Sequence, residues 1–387
     1  MAATLVQSGT PGLMRSMNER AALRLLIADG PMTRVRLGEA AGLSGPTTSQ
    51  LVKRLSEAGL VVEAGHTTGS RGPNAVIYRA CTEAALGVAL HVRVDRVVAR
   101  VVDASDGPFG SAEVAVGRPN HEPWGDVKAA IDAACAVAGC DPSRIVAICV
   151  GGPGAVTADG DVLSFAEDMP GWPSHAVRSQ LEEQIGVSVL IDNDVKLAAV
   201  AESHARGGAQ DFALLWQGEG LGVAALAAGE VYRGAAGAAG EIGYLPAPRT
   251  AAGFEADAVD LQGLAGSEAM TRLAQRHNPS IASYAEALQA LTAGDLREAL
   301  LNEMAPRTAE ALIPVIAVLD PAFVVLSGPT GSAMGEAGAD LVQNYLRQHT
   351  RWATPVVATT SSSDPVLRGA SLTLSSHLAD RLVGRLE

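Results

Sequence analysis

Cysteine and aromatic residues are scarce in this chain of 387 residues. The four cysteines (Cys81, Cys135, Cys140, Cys149) include no Cys-x-x-Cys pair, so neither a metal-ligand spacing nor a disulfide framework is visible. They read as buried thiols of a reducing compartment. Aromatics make up 4% of the sequence against 42 glycines, which points to small-residue packing with many turns, as in α/β folds, rather than to an aromatic-rich β-sandwich. No stretch supplies the roughly 18 uncharged apolar residues of a membrane span, and MAATLVQSGTPGLMRSMNER holds no apolar core of signal-peptide length. The expectation is a cytoplasmic protein without a membrane partner.

What the chain does have is apolar material, at 48%, and length. At about 100–200 residues per domain, two or three units are expected. The net charge of −13 argues against nucleic acid until the chain is divided. Residues 1–80 carry nine Lys/Arg against five Asp/Glu, a net +4, which leaves −17 for the remainder. A basic head on an acidic body points to a polyanion as the partner of the head.

Within the head, NERAALRLLIADG (18–30) has an apolar helical stripe, Asn18 as cap and Gly30-Pro31 as stop. A short helix follows from Thr33 as N-cap through Ala41, turns at Gly42, and restarts with Ser44 as N-cap and Pro46 in the first turn. Two short helices about a glycine turn make a helix-turn-helix. In the second, Leu51, Val52, Leu55 and Leu60 are expected inside, leaving Thr47, Thr48, Gln50, Lys53 and Arg54 outside. With Ser44 at its start, that face suits a recognition helix: hydroxyls and amides read base edges while cations hold phosphate. LVVEAGHTTGSRGPNAVIYRA then reads as a β-hairpin wing with Arg71 on its tip, able to reach the DNA backbone or a minor groove. The alternative for the outer set is a solvated helix face; the order helix, helix-turn-helix, wing favours a winged DNA-binding domain.

From Ala85 onward strands alternate with helices, the pattern of an α/β body. A second β-turn-β-helix series starts at FALLWQGEGLGVAALAAGEVYRG, suggesting two analogous halves with a cleft between them. Glycine-rich turns at 151–154, 218–222, 237–243 and 327–331 fall at strand ends, where ligand crevices form. Asp192, Asn193 and Asp194 precede a helix that any of them could cap, and the alternative for Glu241 is a solvated loop acid. His91 and His175 lack partners at metal spacing and read as structural or exposed.

The winged head followed by LGVALHVRVD, VGGPGAVTADGDV, MPGW, IDNDVKLAAVAE, GEGLGVAALAAGEVYRGAAGAAGEIGYLP and VLSGPTG resembles the ROK family of repressors, open reading frames and sugar kinases. The resemblance covers nearly the whole chain and implies a two-lobed, actin-like sugar kinase body. It implies that Asn193 and Asp194 hold a sugar, Asp194 standing where kinases keep their general base, and that Glu241 accepts a sugar hydroxyl. Carboxylates and amides suit polyols because each can hold two hydroxyls. Three departures matter. The family's Gly-Gly-Thr phosphate turn is His91, Val92 and Arg93 here, after Ala89 in place of an acid; the second phosphate turn is Gly218-Glu219-Gly220, whose carboxylate repels phosphate. The zinc-binding His is Tyr244, and PAPRTAAGFEADAVDLQGLAG lacks the cysteine cluster, so no metal is expected. Gln262 aligns with a sugar-binding Glu.

These readings lead to an α/β chain with a winged helix-turn-helix over 1–80, a first lobe over 81–194 joined by a returning C-terminal helix at 371–387, and a second lobe over 195–370. The expected function is a DNA-binding transcriptional regulator, a repressor of sugar uptake or catabolism genes. Neither enzymatic activity nor a cofactor is expected. Its partners are an operator duplex, a sugar or sugar-derivative effector at Asn193, Asp194, Glu241, Tyr244 and Gln262, and further copies of itself as homodimer or homotetramer. Two alternatives are a ligand-independent regulator that uses the body as a dimerisation scaffold and, more distantly, an active sugar kinase.

Overall fold

The structure is a computed structural model and describes residues 11–67, 74–107, 109–116, 122–165, 171–208, 210–361 and 363–386. The head opens with helix α1 (Pro11–Ala28), which starts well before Asn18; that residue lies inside the helix, correcting its expected role as a cap. Strand β1 (Met32–Thr33) leads into α2 (Arg34–Ala41), and the Thr33 side chain caps α2 by accepting from Arg36 N at 3.3 Å. Gly42 ends α2 at φ 66°, a left-handed turn that glycine enters without a Cβ clash. Helix α3 (Gly45–Glu57) follows extended backbone at Ser44, with Pro46 in its first turn. The Ser44 hydroxyl shares a hydrogen bond with that of Thr47 at 2.8 Å and does not cap a backbone N–H. Leu51, Val52, Leu55 and Leu60 all face inward, as their spacing predicts, and are at most 3% exposed. Each contributes on the order of 1.5–3 kcal/mol by burial, against the entropy lost on ordering the chain.

Strands β2 (Val61–His66) and β3 (Val76–Ala80) pair antiparallel as a hairpin, and β1 adds to β3, giving the order β1-β3-β2. The hairpin tip with Arg71 lies outside the described residues.

The body then builds one topology twice. Its first half runs β4 (Leu86–Val92), β5 (Arg96–Asp103), β6 (Ser111–Ala115), α4 (Pro123–Ala138), β7 (Ile145–Gly152), the short pair β8 (Ala155–Val156) and β9 (Leu163–Ser164), α5 (Val177–Ile185) and β10 (Ser188–Asn193). Helix α6 (Asp194–Ala205) crosses to the second half: β11 (Phe212–Gln217), β12 (Leu221–Ala227), β13 (Glu230–Val231), then α7 (Leu261–Ala265), α8 (Ser267–His277), α9 (Tyr284–Thr292), α10 (Arg297–Leu319), β14 (Val324–Ser327), α11 (Gly328–His349) and β15 (Val356–Ala358). Helix α12 (Pro365–Gly384) closes the fold. The two five-stranded sheets have the orders β10-β7-β4-β5-β6 and β13-β12-β11-β14-β15. In each, an antiparallel meander is extended by two parallel strands on the side of its first strand. The repeat that the sequence leaves faint is therefore explicit in the topology.

Strand composition follows position. Central β4 is buried at every residue: Leu86, Val88, Leu90 and Val92 pack in the core with α4, while alternate Ala89 packs in the core with α12. Edge strand β6 instead alternates exposed and half-buried residues, as expected where one face is covered.

Helix α12 packs on β4, β5, β7 and α6. Its contact with α6 requires glycine at 369, where an added Cβ would lie 1.9 Å from Leu197 O. The segment entering α12 is tied to α6 as well: the buried Glu202 carboxylate accepts from Thr359 Oγ1 at 2.7 Å, Thr360 N at 3.0 Å and Ser361 Oγ at 2.7 Å. At its far end α12 meets the head. Leu23 and Leu26 of α1 share one core with Leu378, Leu382 and Val383, rimmed by an Arg24 Nη2 to Asp380 Oδ1 ion pair at 3.0 Å. No described helix is long and apolar enough to cross a membrane.

Candidate functional site

On the head, Ser44 at the entry to α3 and Thr47, Gln50 and Lys53 on the helix are exposed, and Lys53 Nζ stands 3.8 Å from Glu57 Oε1. Thr48 is not on that face. It is 1% exposed, donates to Ser44 O at 3.0 Å, and covers Gly38 of α2, where an added Cβ would lie 2.8 Å from its Oγ1. The expectation of an outward Thr48 is corrected: the hydroxyl sets how closely α2 and α3 approach. Arg54 is half-buried and its Nε donates to Glu19 of α1, so its charge is engaged within the head. Arg34 and Arg36, exposed on the first turn of α2, were not singled out from the sequence; Arg34 Nη1 reaches Ser49 Oγ at 3.5 Å. Their signal was the positive charge of the head.

The second site is a cleft of about 1200 Å³ between the two sheets, lined from both halves. Asn193, Asp194, Glu241, Tyr244 and Gln262 all line it, so residues spread over seventy positions converge on one space. Asn193 ends β10 and is buried; its Oδ1 accepts from Lys196 N at 3.1 Å, capping α6, and its Nδ2 donates to Gly154 O at 2.9 Å. Asp194 Oδ1 accepts from Val195 N at 2.7 Å. Burial raises the Asp194 pKa to about 6, against the opposing pull of His91. Buried Lys196 donates to Gly237 O; burial lowers its pKa while the Asp192 and Glu241 carboxylates oppose that change.

GAAGEIG is explained by two close approaches. Gly237 and Gly240 have φ of 76° and 100°, and an added Cβ would lie 1.9 Å from Val156 O of the first half and 1.8 Å from Val223 O of the second, respectively. The loop is thus wedged between the halves, and Glu241 leaves it half-buried in the cleft. Gln262 Nε2 donates to Glu219 O at 2.6 Å, tying the α7 start to the turn between β11 and β12.

Two cleft residues were missed or discounted by sequence reasoning. His91, read as structural or exposed, is buried at the end of β4 with Nδ1 2.9 Å from Asp364 Oδ1. Burial works against the Asp364 charge, but the hydrogen bond and charge of His91 outweigh it and hold that carboxyl below its ordinary range. Phe165 follows β9 and faces Tyr244, with ring centroids 5.1 Å apart. Neither pairing has a local sequence signal.

Where the ROK resemblance implies a zinc staple, the segment is held by charge. Glu255 lies 3.2 Å from Arg272 Nε, 3.3 Å from Arg276 Nη1 and 3.8 Å from Arg307 Nη2. Among the described residues no group of three His, Cys, Asp or Glu side chains could hold a metal ion.

Comparison with known proteins accords with this architecture. The ROK family model matches residues 94–376, and a winged helix-turn-helix DNA-binding model matches residues 18–62. The xylose repressor of Caldicellulosiruptor bescii is 24% identical over 245 residues, covering 61% of this chain and 60% of that protein. The chain thus spans about 60% of the length of the curated relatives it first matches. A ROK family transcriptional regulator, homolog of the E. coli MLC protein, superposes with a TM-score of 0.68 at 17% identity over 96% of this chain and 99% of its own. The ROK hexokinase of Thermus thermophilus superposes with a TM-score of 0.56 at 26% identity, covering 76% of this chain and 99% of its own. With the family model spanning most of the body and the duplicated sheets beneath it, the chain belongs to the ROK family and carries a winged helix-turn-helix head.

Proposed function

We propose that this chain is a DNA-binding transcriptional regulator, a repressor of sugar uptake or catabolism genes, whose cleft senses a carbohydrate. The observation that carries the reading is the course of α12. Asp364 caps its first turn, lines the cleft and holds His91, while its far end shares a core with α1 of the head. A ligand that draws the two sheets together therefore shifts the support on which the head rests. The shift has consequence only if the ligand binds the two arrangements with different affinity. Family membership and the winged helix-turn-helix match support the DNA-binding half, and the repressor among the relatives supports the sign of regulation.

In this reading residues 1–80 form the head, 81–194 with the returning C-terminal helix the first lobe, and the residues from 195 up to that helix the second; the helix begins at Pro365, not at the expected 371. The protein acts in the cytoplasm as a homodimer or homotetramer, its recognition helices meeting half-sites one DNA turn, or a multiple of it, apart. Catalysis is not part of the proposal. His91, Arg93 and Glu219 line the cleft where the kinase resemblance implies glycine turns around ATP phosphates, and Asp194 is left as a vestigial general-base position.

One observation favours the scaffold alternative: Asn193 and Gln262 already direct side-chain hydrogen bonds to the backbone at Gly154, Lys196 and Glu219. A genome-wide footprint of bound DNA supplies the operator, on which binding is titrated with sugars, sugar phosphates and Mg-ATP. Affinity that changes with a sugar supports the sensor; affinity indifferent to all of them supports the scaffold. Formation of ADP with a sugar contradicts the non-enzymatic reading.

A further inference from the structure

We infer that Phe165 and Tyr244 form an aromatic clasp that stacks on the C–H face of a neutral pyranose ring held in the cleft; the inference rests on the carbohydrate-sensing reading above. One ring comes from each half. Phe165 follows β9 beside the first sheet, and Tyr244 ends the glycine-rich loop of the second, with the ring planes tilted by 47°. Both rings remain exposed, at 43% and 57%, in a chain with only five Phe and five Tyr. Burial in the protein core is therefore not what positions them. Phe165 also holds φ at 54°, a left-handed backbone that a bulky side chain seldom adopts, and this turn points its ring at Tyr244.

The same cleft is lined by Asp194, Glu241 and Gln262. They offer partners for hydroxyl groups, while the two rings offer an apolar wall. A pyranose needs both, since its hydroxyls project from the ring edge and its C–H groups gather on the faces. An acyclic polyol with the same hydroxyls lacks a flat face. Charge narrows the class further: Asp194, Glu219, Glu241, Asp260 and Asp364 line the cleft against His91, Arg93 and Arg96. The excess of carboxylates disfavours a phosphorylated or acidic sugar and leaves a neutral one. Because the rings belong to different halves and already stand 5.1 Å apart, a sugar stacked on both bridges the halves and favours the arrangement that keeps them together, which is the differential affinity a sensor needs.

The test is calorimetric titration of the full chain with the methyl glycosides of D-xylose, D-glucose, D-mannose and N-acetyl-D-glucosamine, and with xylitol and sorbitol. The expected result is that at least one glycoside binds, the alditols bind about tenfold more weakly, and Phe165→Ala or Tyr244→Ala weakens the glycoside by about tenfold. Tyr244→Phe, which keeps the ring, stays within about threefold of the wild type. Unchanged melting temperatures verify that the variants fold. A glycoside that binds the wild type and both alanine variants equally overturns the clasp and leaves the sensor reading standing. Absence of binding by every sugar in the panel removes the sensor reading, and the clasp with it.

Discussion

His91 and Asp364, separated by 273 positions, meet at 2.9 Å where the central strand of the first sheet ends and α12 begins. Asp364 also caps α12 by accepting from Leu367 N at 2.9 Å. One carboxylate therefore fixes the start of the helix that supports the head and faces the cleft. Asp364→Ala is expected to lower stability by about 1–2 kcal/mol through loss of the cap, read as a fall in melting temperature. It is also expected to shrink any sugar-induced change in DNA affinity, read by fluorescence anisotropy. The pH sign follows from the depressed folded-state pKa of Asp364. Its contribution is fully present above the ordinary carboxylate value and is lost as pH falls through the lower folded value, a dependence that Asp364→Ala should remove.

Asp194 carries the opposite sign. With its folded pKa raised to about 6, its charge opposes folding at neutral pH. That opposition is relieved as pH falls through about 6 toward the unfolded value. Asp194→Asn is expected to raise stability near neutrality by about 1–3 kcal/mol, checked by denaturant melts across pH. Sugar binding should weaken several-fold between about pH 7.5 and about pH 5 as the hydroxyl-accepting carboxylate is protonated, and calorimetry at both values reads this directly.

On the head, Gln50→Ala is expected to cost about 1–3 kcal/mol of operator affinity and to relax base preference at one position. Lys53→Ala should weaken binding evenly across sequences and reduce the salt slope by about one. Thr48→Val should leave base preference intact and act on stability alone, because its hydroxyl lies inside the head. Binding to a set of mutated operators at several salt concentrations separates the three.

Glu255 draws Arg272, Arg276 and Arg307 onto the segment that bears Gln262. The first two arginines are partly exposed, which reduces their contribution, whereas Arg307 is buried. Glu255→Gln is expected to destabilise by about 1–3 kcal/mol, while a chelator leaves the melting temperature unchanged. A large fall in melting temperature on chelation would contradict this account of the segment.

Much of the fold was legible because its signals are local. Thr33, Gly42 and Pro46 mark helix ends within a few residues of the groups they serve, and Leu51, Val52, Leu55 and Leu60 declare an inner face by spacing. Thr48 misled because its polarity suggested solvent, while packing over Gly38 decided its position. Asn18 misled because a good cap residue is also tolerated inside a helix that begins earlier. The convergence of Asn193, Asp194, Glu241, Tyr244 and Gln262 was legible through resemblance to a family, not through spacing. The His91–Asp364 and Phe165–Tyr244 pairs were not legible at all, since each joins segments that only the closed fold brings together.

The most direct test of the account is the affinity of the full chain for an operator recovered from its own genomic footprint, with and without a saturating sugar that calorimetry has shown to bind. The account predicts a change of about tenfold, within the range of ordinary coupling energies, and a smaller change for Asp364→Ala. Equal wild-type affinities with and without that sugar would contradict it.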